Sequence, residues 1–336
     1  MSLIAEKRSG TATSKTMRAA VLVAPEKFEI CEVPVPEPGP GEVLVKLAGC
    51  GVCASNIEPW EGPDWMEYPT APGNMGHEGY GTVAAIGEGV DGLSIGQPVT
   101  ALFYNSYAEY DVGPADNVVP LPRELAATDF PGEPLGCAMN IHARSDIQPG
   151  HTVAIVGSGF LGTLLCKLAA SAGAQVISIS RRATALDLAA KAGAAHLIEM
   201  DDHYRIIDEV NSLTDGKLCD RVIEATGKSW PLDLAGEITG ERGRLIIAGY
   251  HQDGPRQINM QMWNWKGLDV INAHERDPRI YISGIRTAID AVAEGRIDPA
   301  PLITHRFKLD ELNEALRAAR ERPDGFLKAV VRMQDE

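Results

Sequence analysis

No stretch of the 336-residue sequence approaches the roughly 20 consecutive apolar residues of a membrane-crossing helix. Its opening, MSLIAEKRSGTATSKTMRAAV, lacks the apolar core of a secretory leader. Both absences point to a cytoplasmic protein without a membrane partner. Positive charge is also short: 31 Lys and Arg stand against 46 Asp and Glu, a net −15. A surface of that sign repels phosphate backbones and anionic lipid, which argues against nucleic acid as a partner. The six cysteines (Cys31, Cys50, Cys53, Cys137, Cys166, Cys219) are too few and too scattered for a disulfide framework in so long a chain. Reduced thiols are therefore expected, and a cysteine with a task reads as a metal ligand or a nucleophile. There is no internal repeat and no low-complexity segment; residues 1–16 read as a polar tail.

What remains is enough apolar material, 44% of residues, for a substantial core, and a length that favours about two domains. Up to about residue 130 the text is rich in Gly and Pro with short alternating runs (AAVLVA, EVLVKLAG, GTVAAIG, YAEYDVG), which predicts a β-rich, barrel-like unit with little helix. From His151 short apolar runs (HTVAIVG, QVISIS, RVIEATG, GRLIIAG, LDVINA) alternate with helical patterns, the mark of a parallel α/β sheet. Leu161, Leu164, Leu165 and Leu168 form one helical stripe that stops at Gly173; Ile206, Val210 and Leu213 form another. Beyond about residue 275 come two more helical patterns and a last strand-like run, FLKAVVR.

In HTVAIVGSGFLGTLLCKLAA a strand leads into Gly157, Gly159 and Gly162, spaced GxGxxG, and then into the Leu-striped helix. Strand, loop, helix and second strand arrive in the order of a dinucleotide site, where the first helical amides, at Phe160 and Leu161, would face a pyrophosphate. An NAD site commonly ends its second strand with an acid that binds the adenosine ribose. Here QVISISRRAT places Ser180 there, followed by Arg181 and Arg182. A carboxylate would repel a 2′-phosphate and guanidinium forks would bind one, so NADP(H) is favoured over NAD(H).

The pair Cys50 and Cys53 in GCGVCASN could be a redox pair, half of a zinc site, or one ligand beside a bystander. A redox pair would sit at a helix N-terminus in a small α/β domain, and a zinc ribbon would need a second CxxC; neither companion is present. Two further segments carry ligand-type side chains: GNMGHEGYGTV, with His77 and Glu78, and FPGEPLGCAMNIHA, with Glu133.

Taken together, GCGVCASN, GHEGYGTV and GEPLGCAMNIHA, with VIEATG, GRLIIAG and PLITHRFKLDELNEAL, resemble the zinc-dependent medium-chain dehydrogenase/reductase superfamily, in its alcohol, polyol and sugar dehydrogenase branch, from about Met17 to Met333. The resemblance implies an α/β protein: a GroES-like β-rich catalytic domain (17–138 and 275–336) around a doubly wound Rossmann coenzyme domain (139–274), with the site in the cleft between them. It implies one catalytic Zn2+ on Cys53, His77 and a carboxylate, either Glu133 or Glu78, with a fourth position open. It implies hydride transfer between an alcohol, polyol, ketone or aldehyde carbon and the nicotinamide, with the metal acidifying the substrate hydroxyl and Ser55 relaying its proton. Homodimers or homotetramers are usual in the family. Cys137 falls where relatives contact the nicotinamide and reads as packing.

Some features depart from the family pattern. The lobe of four cysteines that holds a structural zinc is reduced to TALFYNSY, so no second zinc is expected. Asn56 stands where relatives carry Asp, and an amide cannot lend the metal's surroundings a negative charge. Glu58 occupies the place of a proton-relaying His in some relatives; Trp60, Trp65 and Tyr104 lie in loops that could line a pocket. Two alternatives keep the fold: a zinc-free quinone or enoyl reductase, and a non-catalytic NADPH-binding sensor.

Overall fold

The computed structural model describes residues 15–333. Of the tail read at 1–16, residues 1–14 lie outside that range, and Thr16 already opens the first strand. The N-terminal part contributes β1 (Thr16–Ala24), β2 (Lys27–Pro34), β3 (Glu42–Gly51), α1 (Ile57–Glu61), β4 (Gly79–Ile86), β5 (Pro98–Ala101), β6 (Tyr110–Pro114), β7 (Val118–Pro120) and α2 (Gly132–Ser145). In β3 Val45 and Leu47 point into the core while Lys46 and Ala48 face water, the period-2 pattern of a half-buried strand.

The central part alternates: β8 (Thr152–Val156), α3 (Phe160–Ser171), β9 (Gln175–Ser180), α4 (Ala183–Lys191), β10 (His196–Glu199), α5 (His203–Leu213), β11 (Cys219–Glu224), α6 (Ser229–Ile238), β12 (Thr239–Ile247), α7 (Met260–Lys266) and β13 (Asp269–Asn272). Its strands are all parallel, in the order β10-β9-β8-β11-β12-β13. That order reverses direction between β8 and β11, and ligands of such sheets bind beyond the carboxyl ends at this point. Helix α3 buries Leu164, Leu165 and Leu168, three members of the predicted stripe.

The chain closes with α8 (Pro278–Ala293), β14 (Ile303–Lys308), α9 (Leu312–Glu321) and β15 (Lys328–Arg332). Helix α8 starts where the Asp277 carboxylate accepts the Arg279 amide, with Pro278 in the first turn. In α9 Leu312, Ala315, Leu316 and Ala319 form the buried stripe, at i, i+3, i+4 and i+7. The seven-stranded sheet runs β14-β15-β3-β4-β5-β7, with β6 also on β3, so strands from both ends of the sequence build one layer. One apolar cluster joins the two units: Leu135 of α2, Ile282 and Ile285 of α8, Phe160 and Leu164 of α3, Ala185 of α4, and Leu327 and Val330. No helix among the described residues is long and apolar enough to cross a membrane.

Asp129 ties the C-terminal strands to this frame. Its carboxylate accepts from the Tyr80 hydroxyl (2.7 Å), Arg306 Nε (2.7 Å) and Arg332 Nη2 (3.1 Å). Burial alone would raise its pKa; the hydrogen bonds from Arg332, Tyr80 and Arg306 outweigh that and hold it below the usual carboxylate range. A depressed carboxyl stabilises the fold above its unfolded pKa, and that contribution is lost as pH falls through the folded value. Asp129→Asn should therefore cost about 2 kcal/mol at neutral pH. In urea denaturation the gap from wild type should close once pH falls well below about 4.

Candidate active site

The register of β3 on β4 pairs Cys50 with Gly79, so Cys53, three residues on, comes opposite the His77-Glu78 segment that leads into β4. On its other side β3 pairs with β15, which brings Lys328 to the same place. Cys53 Sγ, a His77 ring nitrogen and a Glu78 carboxylate oxygen lie within 4.8 Å of one another. Close backbone approach is a condition: a Cβ on Gly51 would fall 1.7 Å from Glu78 Oε2.

Each member of the group is oriented by a neighbour. The His77 Nδ1 is 2.9 Å from the Met75 carbonyl, which can only accept, so Nδ1 carries the proton and Nε2 is left for a metal. Asn56 Nδ2 donates to the same carbonyl (2.9 Å), and Asn56 Oδ1 accepts from the Tyr107 hydroxyl (2.9 Å). The amide thus fixes the imidazole through Met75, whose backbone is left-handed (φ 74), without adding a charge. Ser55 Oγ donates to Cys53 Sγ at 3.1 Å.

Glu78 is fully buried; Oε1 accepts from Lys328 Nζ at 2.6 Å, while Oε2 is buried with no partner. Burial alone would lower the Lys328 pKa; the charges of Glu78 and Cys53 overcome it and raise it. Burial likewise opposes a charged His77, but the Cys53 hydrogen bond and the charges of Cys53, Glu133 and Glu78 push it up to about 10. The acidic groups around them thus favour the charged forms of both Lys328 and His77. A thiolate, an imidazole and a carboxylate with an orphaned oxygen form a donor set that fits a zinc ion.

Glu133, the second residue of α2, lies outside that tight trio and accepts from Cys137 Sγ at 3.1 Å. Its pKa is raised, first by burial; the charge of His77 opposes this and that of Glu78 adds to it. Cys137, which the sequence leaves as packing, is thereby a hydrogen-bond donor inside the site. Tyr281 of α8 shares these surroundings: burial, then the charges of Cys137, Glu133 and Tyr104, keep its phenol protonated. Trp60 differs from the expectation of a pocket-lining loop. Helix α1 turns it fully into the core, where its indole N–H reaches Asn313 (3.3 Å) and Arg320 covers its ring. Trp65 and Tyr104 are exposed, and Glu58 is half-buried.

At the dinucleotide loop Gly157 follows β8 with φ 102, and a Cβ on Gly162 would stand 2.0 Å from the Gly157 carbonyl. Gly159 caps α3, so the amides at Phe160 and Leu161 open the helix toward the carboxyl edge of the sheet. Lys328 Nζ sits 5.4 Å from the Phe160 ring centre, which joins this loop to the metal-type cluster. Buried Glu224 organises the neighbouring turn: it accepts the Thr226 amide (2.6 Å), the Gly227 amide (2.9 Å) and His251 Nε2 (3.0 Å). Ser180 ends β9 and is buried, Arg181 is exposed, and half-buried Arg182 caps α4 and donates from Nη1 to the Phe326 carbonyl.

Sequence reading missed Lys328, the Met75 carbonyl, Glu224 and Tyr281. Only Lys328 left a signal: a single cation opening an apolar terminal strand has to find a buried partner.

Two family models match the chain, zinc-binding dehydrogenase over residues 161–294 and alcohol dehydrogenase GroES-like domain over residues 39–123. L-threonine 3-dehydrogenase of Pyrococcus abyssi is 28% identical over 327 residues, covering 87% of this chain and 92% of the relative. (R,R)-butanediol dehydrogenase of Neisseria gonorrhoeae is 28% identical over 341 residues, covering 88% and 93%. A solved structure described as a zinc-binding dehydrogenase of Sinorhizobium meliloti bound to NADP superposes with a TM-score of 0.81 at 26% identity, covering 95% of this chain and 100% of that one.

The buried pair predicts a coupled response. Lys328→Met strands the Glu78 charge and should cost about 3 kcal/mol in urea denaturation, whereas adding Glu78→Gln should recover part of the loss.

Proposed function

Because this chain belongs to the zinc-type medium-chain dehydrogenase/reductase superfamily, we propose that it is a zinc-dependent oxidoreductase. It would move a hydride between NADP(H) and an alcohol or polyol, or the matching ketone or aldehyde. The observation that carries this reading is the convergence of Cys53, His77 and Glu78, with the orphaned Glu78 Oε2, beside the dinucleotide loop. In the proposed ligand set Cys53 Sγ, His77 Nε2 and Glu78 Oε2 hold the ion, and Glu133 stands by as a second carboxylate. Bound there, zinc would supply Lewis acidity that acidifies a substrate hydroxyl or polarises a carbonyl.

The chain's own residues do the rest. Met75 and Asn56 fix the His77 ring through Nδ1, so Nε2 would be the nitrogen that ligates the ion, giving up its proton as the metal binds. In this reading Ser55 Oγ would take the proton released by a substrate hydroxyl and pass it toward the nicotinamide ribose; its hydroxyl donates to Cys53 Sγ at 3.1 Å. Gly157 and Gly162 allow the pyrophosphate to approach the start of α3, at Phe160 and Leu161.

Preference for NADP(H) rests on Ser180 with Arg181 and Arg182, where an acid would repel the 2′-phosphate. The NADP-bound relative is in keeping with this reading. Assembly as a homodimer or homotetramer fits the outer position of β13, whose Val270 is exposed, and the exposed Trp265 near it, since an apolar strand edge invites pairing.

Metal analysis tests the centre directly. Purified protein should hold about one zinc per chain; none would favour the zinc-free reductase. Cys53→Ala should lose both the metal and turnover, and Glu78→Gln should lower metal occupancy more than Glu133→Gln. Full activity in a metal-free variant would end this reading. For the cofactor, Arg181→Ala should raise the Michaelis constant for NADP by about tenfold while leaving that for NAD nearly unchanged. Equal effects on both would remove the phosphate argument.

A further inference from the structure

Helix α9 ends at Arg322, whose backbone is left-handed (φ 50, ψ 63), with its amide on the Ala318 carbonyl at 2.8 Å. Glycine is the usual occupant of that conformation, so an arginine there invites a reason. The next residues form a tight turn closed by the Phe326 amide on the Pro323 carbonyl (2.9 Å). That turn is pinned to the coenzyme unit, because Leu327 packs in one apolar cluster with Phe160 of α3 and Ala185 of α4, and Arg182 donates to the Phe326 carbonyl. Arg322 is thereby carried to the end of β9. Its side chain is exposed to solvent, its Nε donates to the Ala319 carbonyl at 3.4 Å, and the like charges of Arg182 and Arg181 act on it.

Among the described residues, neither Arg181 nor Arg322 has a carboxylate within ion-pair distance; Asp324 is the acid that acts on Arg182. Three guanidiniums against one carboxylate leave about two positive charges uncompensated, on a chain whose net charge is −15. Such crowding is repulsive unless an anion enters, and a phosphomonoester near neutral pH carries about two negative charges.

We propose that Arg322, supplied by the catalytic unit, is a specificity-determining arm of the adenosine 2′-phosphate site. Arg181 and Arg322 grip the phosphate from opposite domains, while Arg182 braces the turn that carries Arg322. The 2′-hydroxyl of NAD(H) gives this clamp no charge to hold. This inference rests on the NADP(H) reading above and extends it from the end of β9 to the domain interface.

The test is equilibrium binding of NADPH, NADH, adenosine 2′,5′-bisphosphate and 5′-AMP to the full chain, for wild type, Arg322→Gly, Arg322→Lys and Arg181→Ala. Glycine suits the left-handed backbone at 322, so that variant should fold at least as well as wild type, which a thermal melt checks. Arg322→Gly should weaken NADPH and the bisphosphate by about tenfold and leave NADH and 5′-AMP within about twofold, with Arg322→Lys between. If Arg181→Ala weakens NADPH selectively but Arg322→Gly does not, the Arg322 assignment is overturned and the NADP(H) reading stands. If wild type binds NADH as tightly as NADPH, the NADP(H) reading itself fails and takes the clamp with it.

Discussion

The ion pair between Lys328 Nζ and Glu78 Oε1 is the constraint around which the site is arranged. Neither charge could stay buried without the other, because desolvating a lone carboxylate or ammonium costs several kcal/mol. The pair fixes β15 against β3, keeps the Glu78 carboxylate beside Cys53 and His77, and holds the ammonium over the Phe160 ring at the start of the coenzyme-binding helix. One contact therefore sets the spacing between the metal-type ligands and the dinucleotide loop. Gly51 is the cost in sequence freedom, since any side chain there would collide with the Glu78 carboxylate.

Asn56 shows how a neutral side chain can orient the site. The amide bonds to the Met75 carbonyl, and that carbonyl receives the His77 Nδ1 proton. Orientation of the imidazole is thus preserved, whereas electrostatic support comes from the buried carboxylates of Glu78 and Glu133.

Features with a local cause were legible in the sequence. The glycine spacing at 157, 159 and 162, the leucine stripe of α3 and the alternation in β3 each reflect a backbone period or a steric requirement within a few residues, and the α/β architecture follows from their order. The gathering of Cys53, His77 and Glu78 was suggested by resemblance alone, because no local rule brings those segments together; the β3–β4 register does. Lys328, Tyr281 and Arg322 were hidden for the same reason, each owing its surroundings to contacts with residues more than 100 positions away in the chain. Trp60 reads as a loop aromatic because α1 is only five residues long, too short to show a period that would turn the indole inward.

The interleaved order of the two units also bears on how the protein is made. Strand β3 is synthesised early, but its neighbour β15 leaves the ribosome only after the whole parallel sheet between them. That sheet is contiguous and can form while the chain is still being extended. The barrel-like unit must wait, with the Glu78 carboxylate lacking its cation and the 49–51 end of β3 open until β15 arrives, although β6 already pairs with residues 42–46. The nascent chain therefore carries this short open edge through nearly the whole of translation, and a completed coenzyme unit offers an apolar surface on which the late segment docks.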